Sequence, residues 1–306
     1  MFFFLLQEKS PEKKNQILPI SISSIQKQIG NNCPELVARA ILKMPSSEIP
    51  SKIEKIKNAF SNISEVHIAS DLSMVPFLKL LSDDKIATLF VKSPDEFAEI
   101  TRATRSSAVD AFQVLSDDKI ATLFLKRPEA FVDLAYVCGH SAPTAFQLLS
   151  NVKISIFFVQ NTKKLSDVFQ IIGSYTRSND YLNILSDDKI ATLFVKYADE
   201  FAELARATFY SATAIFQTLS NDKIAALFVS NPSKFIQSFT DLIKAMGPHA
   251  DSAIKSLAND KIAALFVSNP SKFIQSFTDL IIAMGPHADS AIKSLANDKI
   301  AALFVS

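Results

Sequence analysis

The sequence predicts an all-α fold, a right-handed superhelical α-solenoid built from helical repeats of 34–38 residues. Three observations carry that expectation. First, the block Leu-Ser-Asp-Asp-Lys-Ile-Ala-Thr-Leu-Phe begins at Leu81 and Leu115 and returns, intact or altered, at Leu149, Leu185, Leu219, Leu257 and Leu295. Successive starts lie 34, 34, 36, 34, 38 and 38 residues apart, a period that marks stacked supersecondary units. Second, apolar residues between the blocks recur at helical spacing. Third, 5 Gly and 13 Pro in 306 residues are too few turn-formers for an all-β chain.

The unit 219–256 shows how each element is specified. Ser220 is read as the N-cap of a first helix, with Asp222 in its first turn, where the helix dipole favours a carboxylate. Ile224, Leu227 and Phe228 form its apolar stripe. Asn231-Pro232 ends that helix and starts a second, because Asn caps and Pro is tolerated at the first helical position. Phe235, Ile236, Phe239, Leu242, Ile243 and Met246 continue the period until Gly247-Pro248 stops it. Ala250, Ala253, Ile254 and Leu257 mark a short third helix.

Length differences between units have a mechanical reading. The second helix is expected from Pro128 to Cys138 in one unit and from Pro232 to Met246 in another. That is one extra turn, about 6 Å of added length. The unit 149–184 is degenerate: Val152 replaces the usual acid and Leu165 the usual Phe, with the extra residues after Gly173. The expected division is an N-terminal helical cap, 1–43, followed by units 44–80, 81–114, 115–148, 149–184, 185–218, 219–256, 257–294 and a partial 295–306. The unit 257–294 repeats 219–256 with two changes, Ser220 to Ala258 and Lys244 to Ile282, which reads as a recent tandem duplication. The partial last unit leaves Ala301, Leu303 and Phe304 without a following neighbour, so the native reading frame is expected to continue past Ser306.

A single unit is not expected to fold alone. Ordering one residue costs about 1–2 kcal/mol of backbone entropy, whereas burying a Phe or Leu returns about 1.5–3 kcal/mol. Stacking must therefore bury Ile86, Leu89, Phe90 and Phe97 against Ile120, Leu123, Phe124 and Phe131.

The 32 basic and 31 acidic residues leave a net charge of +1, without the strongly basic balance of a typical nucleic-acid binder. Two cysteines, Cys33 and Cys138, make no disulfide framework. The start, MFFFLLQEKSPEKK, has no basic residue before its short apolar run, and no stretch approaches the ~18 apolar residues of a membrane span. A cytoplasmic protein with no membrane association is the expectation.

The pattern resembles the broad armadillo/HEAT type of α-solenoid, a resemblance of architecture over 44–306 that implies partner binding along an extended face. Leu81-Ser82-Asp83-Asp84-Lys85-Ile86-Ala87-Thr88-Leu89-Phe90 is also similar to the opening of TAL-effector-like repeats, Leu-Thr-Pro-(Asp/Glu)-Gln-Val-Val-Ala-Ile-Ala. That resemblance implies base-reading by Lys92-Ser93, Lys126-Arg127, Gln160-Asn161, Lys196-Tyr197, Ser230-Asn231 and Ser268-Asn269. The Gly-Gly that follows in that family is Pro94-Asp95 or Pro232-Ser233 here.

Candidate sites follow from what repeats and what varies. Lys85, Lys119, Lys153, Lys189, Lys223, Lys261 and Lys299 hold one position in successive blocks and would align as a basic ladder, which the neighbouring Asp83, Asp84, Asp117, Asp118 and Asp222 would neutralise. Units 81–114 and 185–218 each carry −2, whereas 149–184 carries +2 and residues 1–43 carry +3, so a basic patch is sought there. The recurring Phe90, Phe124, Phe158, Phe194, Phe228, Phe266 and Phe304 read as core. His140, His249 and His287 read as turn residues, and Cys138 beside Gly139-His140 does not read as a nucleophile pair. No phosphate loop, zinc-protease helix or nucleophile elbow occurs, and no metal or cofactor is expected. The sequence thus points to a non-catalytic scaffold that binds a protein partner, with nucleic acid as the alternative partner. Lys92, Arg102, Lys126, Arg127, Tyr136, Tyr197 and Arg206 are the divergent exposed residues expected to set specificity.

Overall fold

A computed structural model describes residues 20–305 except 31, 176–179 and 296. The described residues contain helices and no strand. Each clear unit holds a nine-residue first helix, a longer second helix and a seven-residue third helix behind a single 3-10 turn; in 115–148 these are Asp118–Lys126, Pro128–Cys138 and Ala142–Leu148. In 219–256 they are Asp222–Ser230, Pro232–Met246 and Ala250–Ser256. The second helix lengthens from 11 to 15 residues between these units while the other two keep their lengths. The 38-residue unit is therefore the 34-residue unit plus one helical turn.

Like packs on like along the chain. Second helices form one row: Pro94–Thr104 on Pro128–Cys138, then the later half of Val152–Tyr175, Ala198–Thr208, Pro232–Met246 and Pro270–Met284. Third helices form a second row, with Ala108–Val114 on Ala142–Leu148 and Ala250–Ser256 on Ala288–Ser294. The rows reach back past the recognisable blocks. Glu35–Leu42 packs on Asp84–Lys92, Ile49–Ala69 on Pro94–Thr104 and Val75–Leu80 on Ala108–Val114. Glu35–Leu42, expected in the cap, thus occupies a first-helix place, and the segment from Met44 leads into the second helix. The helix Glu35–Leu42 lacks the block sequence, and its apolar face, Val37, Ala38 and Ile41, is buried.

Two local rules make the unit. The first helix is capped by the residue after the serine. Asn221 is extended (φ −75, ψ 128), and its side-chain oxygen accepts from the N–H groups of Lys223 and Ile224 at 3.0 and 3.4 Å. Ser220, the expected cap, lies one residue too early and donates instead to the Gln217 carbonyl at 2.8 Å. Asp83, Asp117, Asp187 and Asn259 cap in the same way, which explains why Ala258 is tolerated where Ser220 stands. The break between the first and second helices falls at Ser93, Arg127, Asn161, Tyr197, Asn231 and Asn269, all extended in φ. Proline follows in most units, but Thr162 and Ala198 serve at the same break.

The core is a file of phenylalanines. Phe90 meets Phe97, Phe97 meets Phe124, Phe124 meets Phe131 and Phe131 meets Phe158, with ring centroids 5.4–5.6 Å apart and near-perpendicular planes. Such edge-to-face pairs contribute about 0.5–1.5 kcal/mol each beyond burial. First-helix and second-helix rings alternate, so every second contact crosses a unit boundary. Leu165 interrupts the file, and Phe157 and Phe169 reach Phe194 in its place, at 6.2 and 5.8 Å. In the longer second helix Pro232–Met246, Phe239 joins Phe235 to Phe266. Ile86, Phe90, Phe97, Ile120, Phe124 and Phe131 are fully buried, while Leu123 is only half-buried.

The second helix ends at a left-handed residue. Gly139, Gly247 and Gly285 have φ of 52, 53 and 50°. Arg105 and Phe209 hold the same place with φ of 51 and 47°, where a Cβ is strained. Replacing Arg105 or Phe209 by Gly should each stabilise the protein by about 1 kcal/mol, the relieved strain exceeding the added flexibility of the unfolded chain. Chemical denaturation midpoints read the effect; unchanged or lower midpoints would contradict it.

Candidate functional site

The lysine ladder forms, and most of it is consumed between units. Lys85 Nζ lies 2.6 Å from Asp118 Oδ1, Lys153 Nζ 2.9 Å from Asp188 Oδ2 and Lys189 Nζ 2.5 Å from Asp222 Oδ1. Lys223 lies 3.7 Å from Asp260, and Lys261 donates to the Asp298 carbonyl at 3.2 Å. In each case a lysine reaches the first residue of the next unit's first helix, whose dipole already favours the carboxylate. Hydrogen bonds from Lys85, Lys153 and Lys189 hold the carboxyls of Asp118, Asp188 and Asp222 below their ordinary range. Lys119 differs: the residue at that place in the next unit is Val152, and Lys119 has no ion pair among the described residues. Lys299 lies on the last described helix, Asp298–Val305.

The divergent residues fall into three groups. Arg102 and Tyr136 meet on Glu99: the guanidinium donates to Glu99 Oε1, and the Tyr136 hydroxyl donates to Glu99 Oε2 at 2.5 Å across the unit boundary. The hydrogen bond to Glu99 raises the Tyr136 phenol above its ordinary value. Arg127 and Arg206 line one groove. Lys92, Lys126 and Tyr197 join neither. Lys92 and Lys126 are exposed, and the Lys92 carbonyl accepts from Lys52 at 3.3 Å. Tyr197 is half-buried with its ring 5.4 Å from Phe228, so it packs as much as it presents.

The groove has a volume of about 540 Å³ and lies along the second helices of 149–184 and 185–218. Arg127, Lys163, Lys164 and Arg206 line it, against Asp167 and Asp199. Arg127 is fixed: its guanidinium donates to the Val159 carbonyl at 3.2 Å and to Thr162 Oγ1 at 3.5 Å. Lys164 pairs with Asp199 at 2.8 Å. Lys163 and Arg206 have no hydrogen bond or ion pair among the described residues, so the groove keeps an excess of positive charge. The net +2 of this unit pointed to the place. No other unit has a lysine pair at the place of Lys163 and Lys164, so the repeat pattern alone does not single these two residues out.

Two histidines make contacts across unit boundaries. His249 Nδ1 lies 2.8 Å from Asp289 Oδ1 of the next unit, and the His249 contact lowers the Asp289 carboxyl. His140 lies 3.4 Å from Ser106. Burial pushes the Cys138 thiol up to about 12 and that of Cys33 to about 11, far from a reactive thiolate. Among the described residues no three His, Cys, Asp or Glu side chains cluster as a metal site. No described helix is long and apolar enough to cross a membrane. Comparison of the chain with protein-family models, with curated proteins and with solved structures finds no match.

The lowered carboxyls set a pH dependence. A depressed folded-state value contributes stability that is complete above the ordinary carboxylate value of about 3.9 and is lost as pH falls through the lowered value. Thermal midpoints should hold from neutral pH down to about 5 and drop below about 4. The Lys85→Ala, Lys189→Ala double variant should show a smaller acid-induced drop than wild type. Equal drops in the two proteins would contradict this assignment.

Proposed function

We propose that this chain is a non-catalytic repeat scaffold, a right-handed superhelix of armadillo/HEAT-like type, that binds an acidic segment of a protein partner. The observation that carries the reading is the groove in which Arg127, Lys163, Lys164 and Arg206 outnumber Asp167 and Asp199. Half of that cation set is already positioned by internal hydrogen bonds, and half is free to receive carboxylates. Arg127 and Arg206 are also residues that vary between units whose framework is retained. That combination fits a surface adapted to one partner on a repeated core. Arg102 and Tyr136, joined through Glu99, supply a second polar patch on the preceding second helices.

Two observations favour a protein over nucleic acid. Three of the base-reading positions implied by the TAL-like resemblance are committed internally: Asn231 and Asn269 cap the next helix through the N–H groups of Lys234 and Lys272, and Ser93 is buried. The ladder lysines that would follow a phosphate backbone are held mostly by carboxylates.

Affinity capture with and without nuclease tests the reading. A protein partner should be retained after nuclease treatment and lost from the Arg127→Glu, Arg206→Glu variant. Retention of a partner only in the absence of nuclease would overturn it in favour of a nucleic-acid-binding repeat protein.

A further inference from the structure

We infer that the first-helix edge around Lys119 is a second docking site, and that its occupant is a partner-protein segment bearing a carboxylate next to an apolar side chain. The inference rests on the scaffold reading but concerns a different surface. The chain itself shows what this lysine position holds. Lys153 contacts two side chains of the next unit, Asp188 at 2.9 Å and Thr192 Oγ1 at 2.7 Å. At the positions equivalent to Asp188 and Thr192, the unit after Lys119 carries Val152 and Ile156. Both of the polar groups that hold Lys153 are therefore apolar opposite Lys119. Neither replacement is absorbed into the core: Val152 is 59% and Ile156 51% exposed.

The result is a changed notch. Beside Lys223, a cavity of about 560 Å³ is walled by Asp222, Asp260 and the capping Asn221. The cavity beside Lys119, about 400 Å³, is instead walled by Leu123, Leu149 and Val152, with Lys119 at its edge. Asp118, also on this edge, is engaged by Lys85. Leu125 and Val159, 41% and 39% exposed, extend the apolar character along the same two helices. An unpaired ammonium beside exposed Val and Ile complements a carboxylate flanked by Leu, Ile, Val or Phe. The incoming carboxylate takes the place that Asp118, Asp188 and Asp222 take for the other lysines. Charge gives the site its orientation and the apolar notch supplies contact area.

Selection of displayed random peptides on the full-length chain tests the site. The expected winners carry Asp or Glu beside a large apolar residue. Their affinity should fall at least about tenfold, a loss of about 1.4 kcal/mol, in Val152→Asp, which restores the carboxylate carried in neighbouring units. Lys119→Ala should weaken them similarly, and Arg127→Glu, Arg206→Glu should leave them unchanged. Peptides sensitive to the groove variant but not to Val152→Asp would overturn the second site while leaving the scaffold reading intact. Enrichment without an acidic residue, or no enrichment, would overturn it as well. Sedimentation of the wild type as a dimer that Val152→Asp dissociates would assign the face to a second copy of the chain and equally overturn the partner segment.

Discussion

Burial of phenylalanine across unit boundaries is the constraint on which the remainder of the structure depends. Phe97 lies between Phe90 of its own unit and Phe124 of the next, and Phe131 repeats the arrangement between Phe124 and Phe158. A ring shared in this way belongs to no single unit. The chain therefore gains its core by adding neighbours, and the free energy of each unit is tied to the one beside it. The constraint also explains which changes are tolerated. A helical turn inserted into the second helix of 219–256 keeps the apolar face in phase, because Phe239 continues the file toward Phe266. Loss of a ring at Leu165 is met by Phe157 and Phe169 from the same unit.

Electrostatics is layered on that core rather than replacing it. The lysine–aspartate contacts are solvent-exposed, and exposed ion pairs contribute little individually. Their regularity matters more than their strength. Because the pair recurs at Lys85, Lys153, Lys189 and Lys223, the replacement of its acidic partner by Val152 opposite Lys119 is recognisable as a departure. The basic groove is a similar departure: Lys163 and Lys164 come from the same unit, 149–184, and Arg127 and Arg206 from the units on either side of it. Divergence is permitted at exposed positions while Ile154, Phe158 and Leu165 remain buried.

Repetition made much of this fold legible in the sequence. Block spacing and 3.6-residue periodicity located three helices per unit, and Gly139 and Gly247 marked where second helices end. Two features were not legible for local reasons. The cap of the first helix depends on which residue is extended, so Ser220 and Asn221 compete, and only backbone geometry separates them. The helix Glu35–Leu42 lacks the block, and nothing in eight residues of sequence reveals that its apolar face meets Asp84–Lys92. At the candidate sites, Arg127 and Arg206 were visible as divergent positions, but their convergence on one groove depends on stacking. The Lys85–Asp118 pair joins residues 33 apart, a spacing that acquires meaning only once neighbouring units are superposed in register.

The claim that units hold together only by sharing a core is tested most directly with one unit alone. Circular dichroism of a synthetic peptide spanning 115–148 should show little helix and no cooperative melting, because Phe124 and Phe131 lose Phe97 and Phe158 as partners. A cooperative thermal transition from a fully helical peptide would contradict the account.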